Sequence, residues 1–291
     1  MIDLKGRVAI VTGAGGGLGR AHALLLAQRG ARVVINDLGR GAESVAREIT
    51  DAGGEARVAM GSVTDAARMQ SIVDETLQAW KRIDILVNNA GMLRDKTFAR
   101  MDLDDFRLVL DVHLMGSVHC TKAVWDIMRR QNYGRIVMTS SSSGLYGNFG
   151  QSNYGAAKLA LVGLMQTLAL EGERYGIRVN CIAPTAATQM LEGLLPPAQL
   201  DMLRPELVSP AVLALVSEDA PTRAILCAGA GGFELAHITL TQGIHLAGEP
   251  PSAEDILARW AELADRRGET VPPQGSAQGQ HELKKAGFPG L

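Results

Sequence analysis

The chain has 291 residues, 46% of them hydrophobic and 21% charged, with a formal net charge of -2. That length suits one large α/β domain with a tail, and the near-neutral balance gives no reason to expect nucleic acid or a membrane surface as partner. Three widely spaced cysteines, Cys120, Cys181 and Cys227, make neither a disulfide framework nor a metal cluster; no apolar run nears the length of a membrane span and no signal peptide opens the chain, so a cytoplasmic protein without a metal is expected.

A short β-branched run at 7–11 leads into a glycine-rich segment, 12–19, and then an apolar helical pattern over 21–29 that Gly30 stops. A second strand, 31–36, ends at Asp37 and completes a βαβ unit. The alternation continues with helix 41–52, strand 56–60, helix 65–80, strand 83–88, a long proline-free helix 103–130 and strand 135–139. A helix carrying Tyr154 runs to about 175, and strand 178–183 stops at Pro184. This order predicts an α/β fold, a doubly wound parallel sheet of Rossmann type in a single domain over 1–247. Within it, 185–206 is rich in Met, Leu and Pro and suits a mobile substrate flap, followed by helix 210–217 and strands 224–228 and 233–240. Residues 248–291 read as a short C-terminal extension with one helix, capped by Ser252 and Asp255 and apolar along Ile256, Leu257, Trp260 and Leu263, before a loose Gly- and Pro-rich tail.

Two stretches carry chemistry. In TGAGGGLG, 12–19, the glycines between strand and helix let a backbone approach a pyrophosphate, and the helix N-terminus offers amide donors. Asp37 suits the ribose hydroxyls and repels a 2′-phosphate, so NAD is expected over NADP, with Arg40 as the counter-signal. In SSSSGLYGNFGQSNYGAAK, 140–158, Tyr154 and Lys158 stand four apart and share a helical face. Holding a phenol of pKa near ~10 as phenolate at pH 7 costs about 4 kcal/mol. A neighbouring cation lowers that pKa by about 1 to 3 units and brings it into range as a general acid/base. The same spacing also describes an ordinary solvated helix face.

Thr12, Gly13, Gly17 and Gly19, then NNAG at 88–91, then Ser141, Tyr154 and Lys158, in that order, resemble the short-chain dehydrogenase/reductase family over about 5–247. The resemblance implies that Ser141 binds the substrate oxygen, Tyr154 passes the proton, and Lys158 lowers the tyrosine pKa and holds the nicotinamide ribose. It implies an NAD site of Gly13, Gly17, Leu18, Gly19, Asp37, Ser62, Val63, Asn89, Ala90, Gly91, Tyr154, Lys158, Pro184 and Thr188, with Asn89 to Gly91 on the adenine side, and a homodimer or homotetramer. Two positions depart from the family pattern. His113 stands in DVHLMG where an asparagine usually supports a relay water; its imidazole can join a relay or simply be fixed by an ordinary hydrogen bond. Ser62 stands where an aspartate is usual. Within the family, VVINDLG at 33–39, VHLMGS at 112–117 and the run 133–158 resemble the (3R)-hydroxyacyl-CoA dehydrogenase units of multifunctional β-oxidation enzymes. That likeness implies NAD-dependent oxidation of a (3R)-3-hydroxyacyl-CoA to the 3-ketoacyl-CoA. The rivals are a family member acting on a steroid, a steroid side-chain thioester or a small ketone, and a non-catalytic NAD-binding sensor or scaffold.

Overall fold

Five consecutive buried residues, Val8–Thr12, form β1 at the middle of the sheet, where a strand has no solvent face to keep polar. In the computed structural model, which describes residues 1–187, 196–246 and 250–288, β1 lies between β2 (Arg32–Asp37) and β4 (Ile85–Asn88), parallel to both. β3 (Ala56–Met60) borders β2; beyond β4 come β5 (Gly134–Thr139), β6 (Ile177–Thr185), β7 (Ile225–Gly229) and β8 (Gly232–Ala236). The order is β3-β2-β1-β4-β5-β6-β7-β8, so the chain builds outward from β1 to β3 and then reverses to β4. That reversal opens a crevice beyond the carboxyl ends of β1 and β4. The connection from β7 to β8 is Ala230-Gly231, both at positive φ, too short for anything but a hairpin.

Alternate residues of the central strands face opposite helical layers. Ala9, Val11, Val33 and Ile35 pack with Ala23 and Leu26 of α1 (Gly17–Gln28), Val45 and Ile49 of α2 (Gly41–Asp51), and Val212 of α9 (Ser209–Leu215). Ile10 and Leu86 face Met69, Ile72 and Val73 of α3 (Ala66–Trp80) and Cys120 and Val124 of α5 (Gly116–Gln131). The doubly wound parallel sheet expected from the alternation is the fold observed.

Local differences have local causes. β6 runs through Pro184 rather than stopping there. The alternation that sends Cys181 N to Ala224 O turns the nitrogen of residue 184 toward β5, which has already ended opposite Ile182, so proline forfeits no ladder bond. The long helix expected over 103–130 is α4 (Leu103–Leu110) and α5 joined by a π-turn, Asp111–Met115, in which Gly116 N reaches back to Asp111 O. Ser117 Oγ donates to His113 O at 2.6 Å, a side-chain hook inside that turn. Of the expected flap, residues 188–195 lie outside the described residues; the rest includes α8 (Pro197–Met202) and a 3-10 turn, Pro205–Leu207.

Contacts divide the chain into two compact units, Met1–Leu235 and Ala236–Leu291. In the second, Ser252 and Asp255 form the reciprocal cap of α10 (Ala253–Ala258), and α11 (Trp260–Leu263) follows. The expected loose tail is corrected by α12 (Ser276–Lys285), whose His281 and Lys285 both bond Gln242 O. No helix among the described residues is long and apolar enough to cross a membrane.

Candidate active site

The crevice is a cleft of about 990 Å³ within the first unit. At one end the glycine loop is packed to the limit. A Cβ on Gly19 would stand 2.2 Å from Gly13 O, and one on Gly13 would meet Ala90 Cα at 2.8 Å. Thr12 Oγ1 accepts from the amides of Asn89 and Ala90, both at 3.0 Å, while Asn89 Nδ2 donates to Thr12 O and Gly13 O. The NNAG segment therefore stitches the glycine loop to the end of β4. Gly16 caps α1 without a side chain, which leaves the first-turn amides unclaimed by any cap and facing the cleft, a fit for a diphosphate. Asp37 accepts from Gly15 N at 2.8 Å through one oxygen and from Gly39 N at 2.9 Å through the other. Leu18, Ser62, Val63, Gly91 and Pro184 line the same cleft, with Gly17. Ser62 Oγ shares its hydrogen bond with Thr64 Oγ1, and Val63 packs so closely on Gly116 that a Cβ there would lie 2.5 Å away. Thr188 lies outside the described residues.

Ser141, Tyr154, Lys158 and His113 come together at the other end of the cleft. Ser141 caps α6 (Ser142–Tyr146), its Oγ accepting from Ser143 N. Ser140 points the other way and spends its hydroxyl on Lys158 O at 2.8 Å, which leaves Ser141 as the serine of the pair that faces a ligand. Tyr154 and Lys158 lie on successive turns of α7 (Ser152–Gly172), with Lys158 Nζ 5.4 Å from the tyrosine ring centre. Lys158 is buried and donates to Thr139 O at 2.6 Å. Burial pushes its pKa down to about 7. Burial also pushes the Tyr154 phenol up, against a hydrogen bond to Ser141 that lowers it, and Asp95 raises it further. In this geometry the ammonium is engaged with Thr139 O, and desolvation is the largest influence on the phenol.

The π-turn delivers His113 into the site. Its Nε2 lies 2.8 Å from Met92 O and 3.1 Å from Met92 N, and its ring meets Tyr154 edge-on, 5.2 Å between centres. A Cβ on Gly91 would fall 2.4 Å from His113 Cε1, so this histidine requires glycine there. Burial and the nearby Lys158 charge push the imidazole down to about 3, hence neutral at pH 7. The shorter contact assigns the ring proton to Nε2. Nδ1 is then a buried lone pair, and it has no partner among the described residues.

Two motif residues act as braces, and one residue outside the family motifs joins them. Thr12 and Asn89 brace the glycine loop, and buried Asn153 ties the start of the tyrosine helix to the loop after β4 by donating to Arg94 O while accepting from Tyr154 N. Asn153 does leave one signal: a poor helix former set directly before the tyrosine.

A Rossmann-type sheet whose switch-point cleft joins a glycine loop to a serine, a tyrosine and a lysine defines a dinucleotide-dependent oxidoreductase. The model of the short chain dehydrogenase family matches residues 7–197, and the chain belongs to that family. It is 44% identical over 282 residues to a putative short-chain type dehydrogenase/reductase of Mycobacterium tuberculosis, covering 93% of this chain and 98% of the relative. It is 45% identical over 274 residues to the peroxisomal multifunctional enzyme type 2 of Drosophila melanogaster, covering 89% of this chain but only 45% of that enzyme. The full-length structure of the Drosophila enzyme superposes with a TM-score of 0.84 at 39% identity, covering 98% of this chain and 50% of that one. A 7α-hydroxysteroid dehydrogenase complexed with NADH and 7-oxo glycochenodeoxycholic acid superposes with a TM-score of 0.74 at 30% identity, covering 79% of this chain and 95% of that one.

Proposed function

We propose that the protein oxidises the 3-hydroxyl of a (3R)-3-hydroxyacyl-CoA to the 3-ketoacyl-CoA with NAD. The observation that carries the chemistry is the convergence of Ser141, Tyr154 and Lys158 in one cleft with the Asp37 end of the glycine loop. The substrate class rests on the 45% identity to the Drosophila enzyme. NAD, when bound, supplies the hydride acceptor. Ser141 Oγ orients the substrate oxygen and Tyr154 removes its proton. The phenol then holds that proton until it passes to solvent; Lys158, its Nζ 5.4 Å from the ring centre, sets an amine beside the phenol, and the bare Nδ1 of His113 offers an acceptor to the exchanging solvent. Asp37 binds the adenosine ribose hydroxyls and disfavours a 2′-phosphate.

The test is a screen of hydroxyacyl-CoA thioesters, steroids and simple secondary alcohols with NAD and with NADP. Steroid turnover without thioester turnover would favour the second reading, which the 30% identity to the hydroxysteroid dehydrogenase supports. A clear NADP preference would overturn the cofactor assignment. Asp37→Ser is expected to lower kcat/KM for NAD by about tenfold or more, the size of a lost charged hydrogen bond, with a smaller loss for NADP.

The proposal includes a homodimer or homotetramer, in which the exposed Trp260 and Leu257 pack across a subunit interface. Removal of residues 249–291 that leaves the mass measured by light scattering at the same multiple of the chain would refute that role. A cytoplasmic location is also part of the reading, and imaging of the tagged protein in peroxisomes would replace it.

A further inference from the structure

Beside the catalytic groups the cleft wall carries a polar chain that the proton chemistry does not use. Asp95 Oδ2 accepts from Gln151 Nε2 at 2.7 Å. A carboxylate only accepts, so it fixes which way the glutamine amide points and turns Oε1 back toward the cleft. That oxygen takes two bonds, from Ser143 Oγ at 2.8 Å and from Asn148 Nδ2 at 3.0 Å. The backbone holds the arrangement: Lys96 N donates to Gly150 O at 2.9 Å, and Lys96 and Gln151 form a parallel bridge that fastens the loop after β4 to the start of α7.

The consequence is a matter of counting hydrogens. Ser143 spends its one proton on Gln151. Asn148 spends one of two, and its second amide hydrogen has no acceptor among the described residues. Asn148, Ser143 and Gln151 all line the cleft that holds Ser141 and Tyr154. Asn148, exposed where it lines the cleft, therefore keeps one amide hydrogen for a ligand, separate from the pair that engages the reacting oxygen.

We propose that Asn148, oriented by Gln151 and Asp95, recognises a carbonyl oxygen whose carbon is two bonds from the reacting carbon, so that the site selects β-oxygenated thioesters and esters over isolated alcohols and ketones. This deepens the hydroxyacyl-CoA reading and rests on it for the thioester. The geometry it requires is a 3-oxygen at Ser141 and Tyr154 and a C1 carbonyl at Asn148, which an isolated ketone cannot supply. Gln151 and Asp95 are positioning residues, since they act only through Asn148.

The test measures kcat/KM with NADH for ethyl acetoacetate and for 2-pentanone, and reads their ratio. Asn148→Ala is expected to lower the ratio about five- to tenfold, the worth of one net hydrogen bond. Gln151→Glu places a second carboxylate against Asp95 and should lower the ratio too. Adding Asp95→Asn gives that glutamate a donor again, and the double variant Gln151→Glu with Asp95→Asn should recover the native ratio to within about twofold. A ratio untouched by Asn148→Ala, or equal losses on both substrates, overturns the proposal, as does failure of the double variant to exceed Gln151→Glu alone. Acetoacetyl-CoA in the same assay separates the two readings. If it is inert while ethyl acetoacetate shows the expected ratios, the acyl-CoA function fails and the carbonyl recognition stands; if neither β-keto compound is reduced, both fail.

Discussion

Tyr154→Phe is expected to lower kcat by about 10²- to 10⁴-fold, the usual contribution of a positioned general acid/base. The change removes one oxygen from a ring that remains packed edge-on against His113, so the melting temperature should stay close to native and the loss is attributable to chemistry. The pH profile sharpens the test. Burial holds the phenol above its ordinary value, so alcohol oxidation by the native enzyme should rise with pH as phenolate becomes available, and the residual rate of the variant should lose that dependence. Undiminished turnover in the variant would end the proposed chemistry.

The parts of this site that were legible in the sequence are those that local rules write into adjacent residues. A strand, a glycine loop and a helix must be contiguous to bind a diphosphate, and Tyr154 and Lys158 must be four apart to share a face of α7. The sheet was legible for the same reason, since each βαβ unit is a local pattern. Features that depend on distant residues were not. The π-turn adds a residue to a helix whose apolar periodicity is otherwise unbroken, and only the fold shows Gly91 making room for His113. Asp95 and Gln151 lie 56 positions apart, and only the fold shows that they pair. Pro184 suggests a stop by local rule, yet a proline ends a strand only when its missing amide is needed, and that depends on where β5 ends. Helix α12 is hidden by composition: its Gln- and Lys-rich sequence has Leu283 as its one large apolar side chain, and it is held by bonds to Gln242.

Lys158→Met should do two things in opposite directions. The catalytic effect is a loss of turnover comparable to that of Tyr154→Phe, because the phenol loses the only lysine beside it among the described residues. The effect on folding is a gain. Lys158 is buried with its pKa pushed from 10.5 down to about 7, which means the folded state pays to keep an ammonium that the unfolded chain carries in water. At about 1.36 kcal/mol per unit, that shift corresponds to roughly 5 kcal/mol at pH 7 and below. Methionine fills a similar volume without charge, but leaves Thr139 O without its donor, a loss of about 1 to 3 kcal/mol. The net gain should be about 2 to 4 kcal/mol near pH 7. Its pH dependence has a definite sign. Between about 7 and 10.5 the unfolded native chain binds a proton that the folded one has released, so native stability rises with pH over this window while the variant gains nothing from Lys158. The two stabilities should therefore converge toward pH 10. Urea unfolding at pH 7 and pH 9.5 reads this directly: a variant no more stable than native at pH 7, or a difference that widens with pH, would show that the ammonium is well solvated in the fold and that its proximity to neutrality cannot serve the proton transfer.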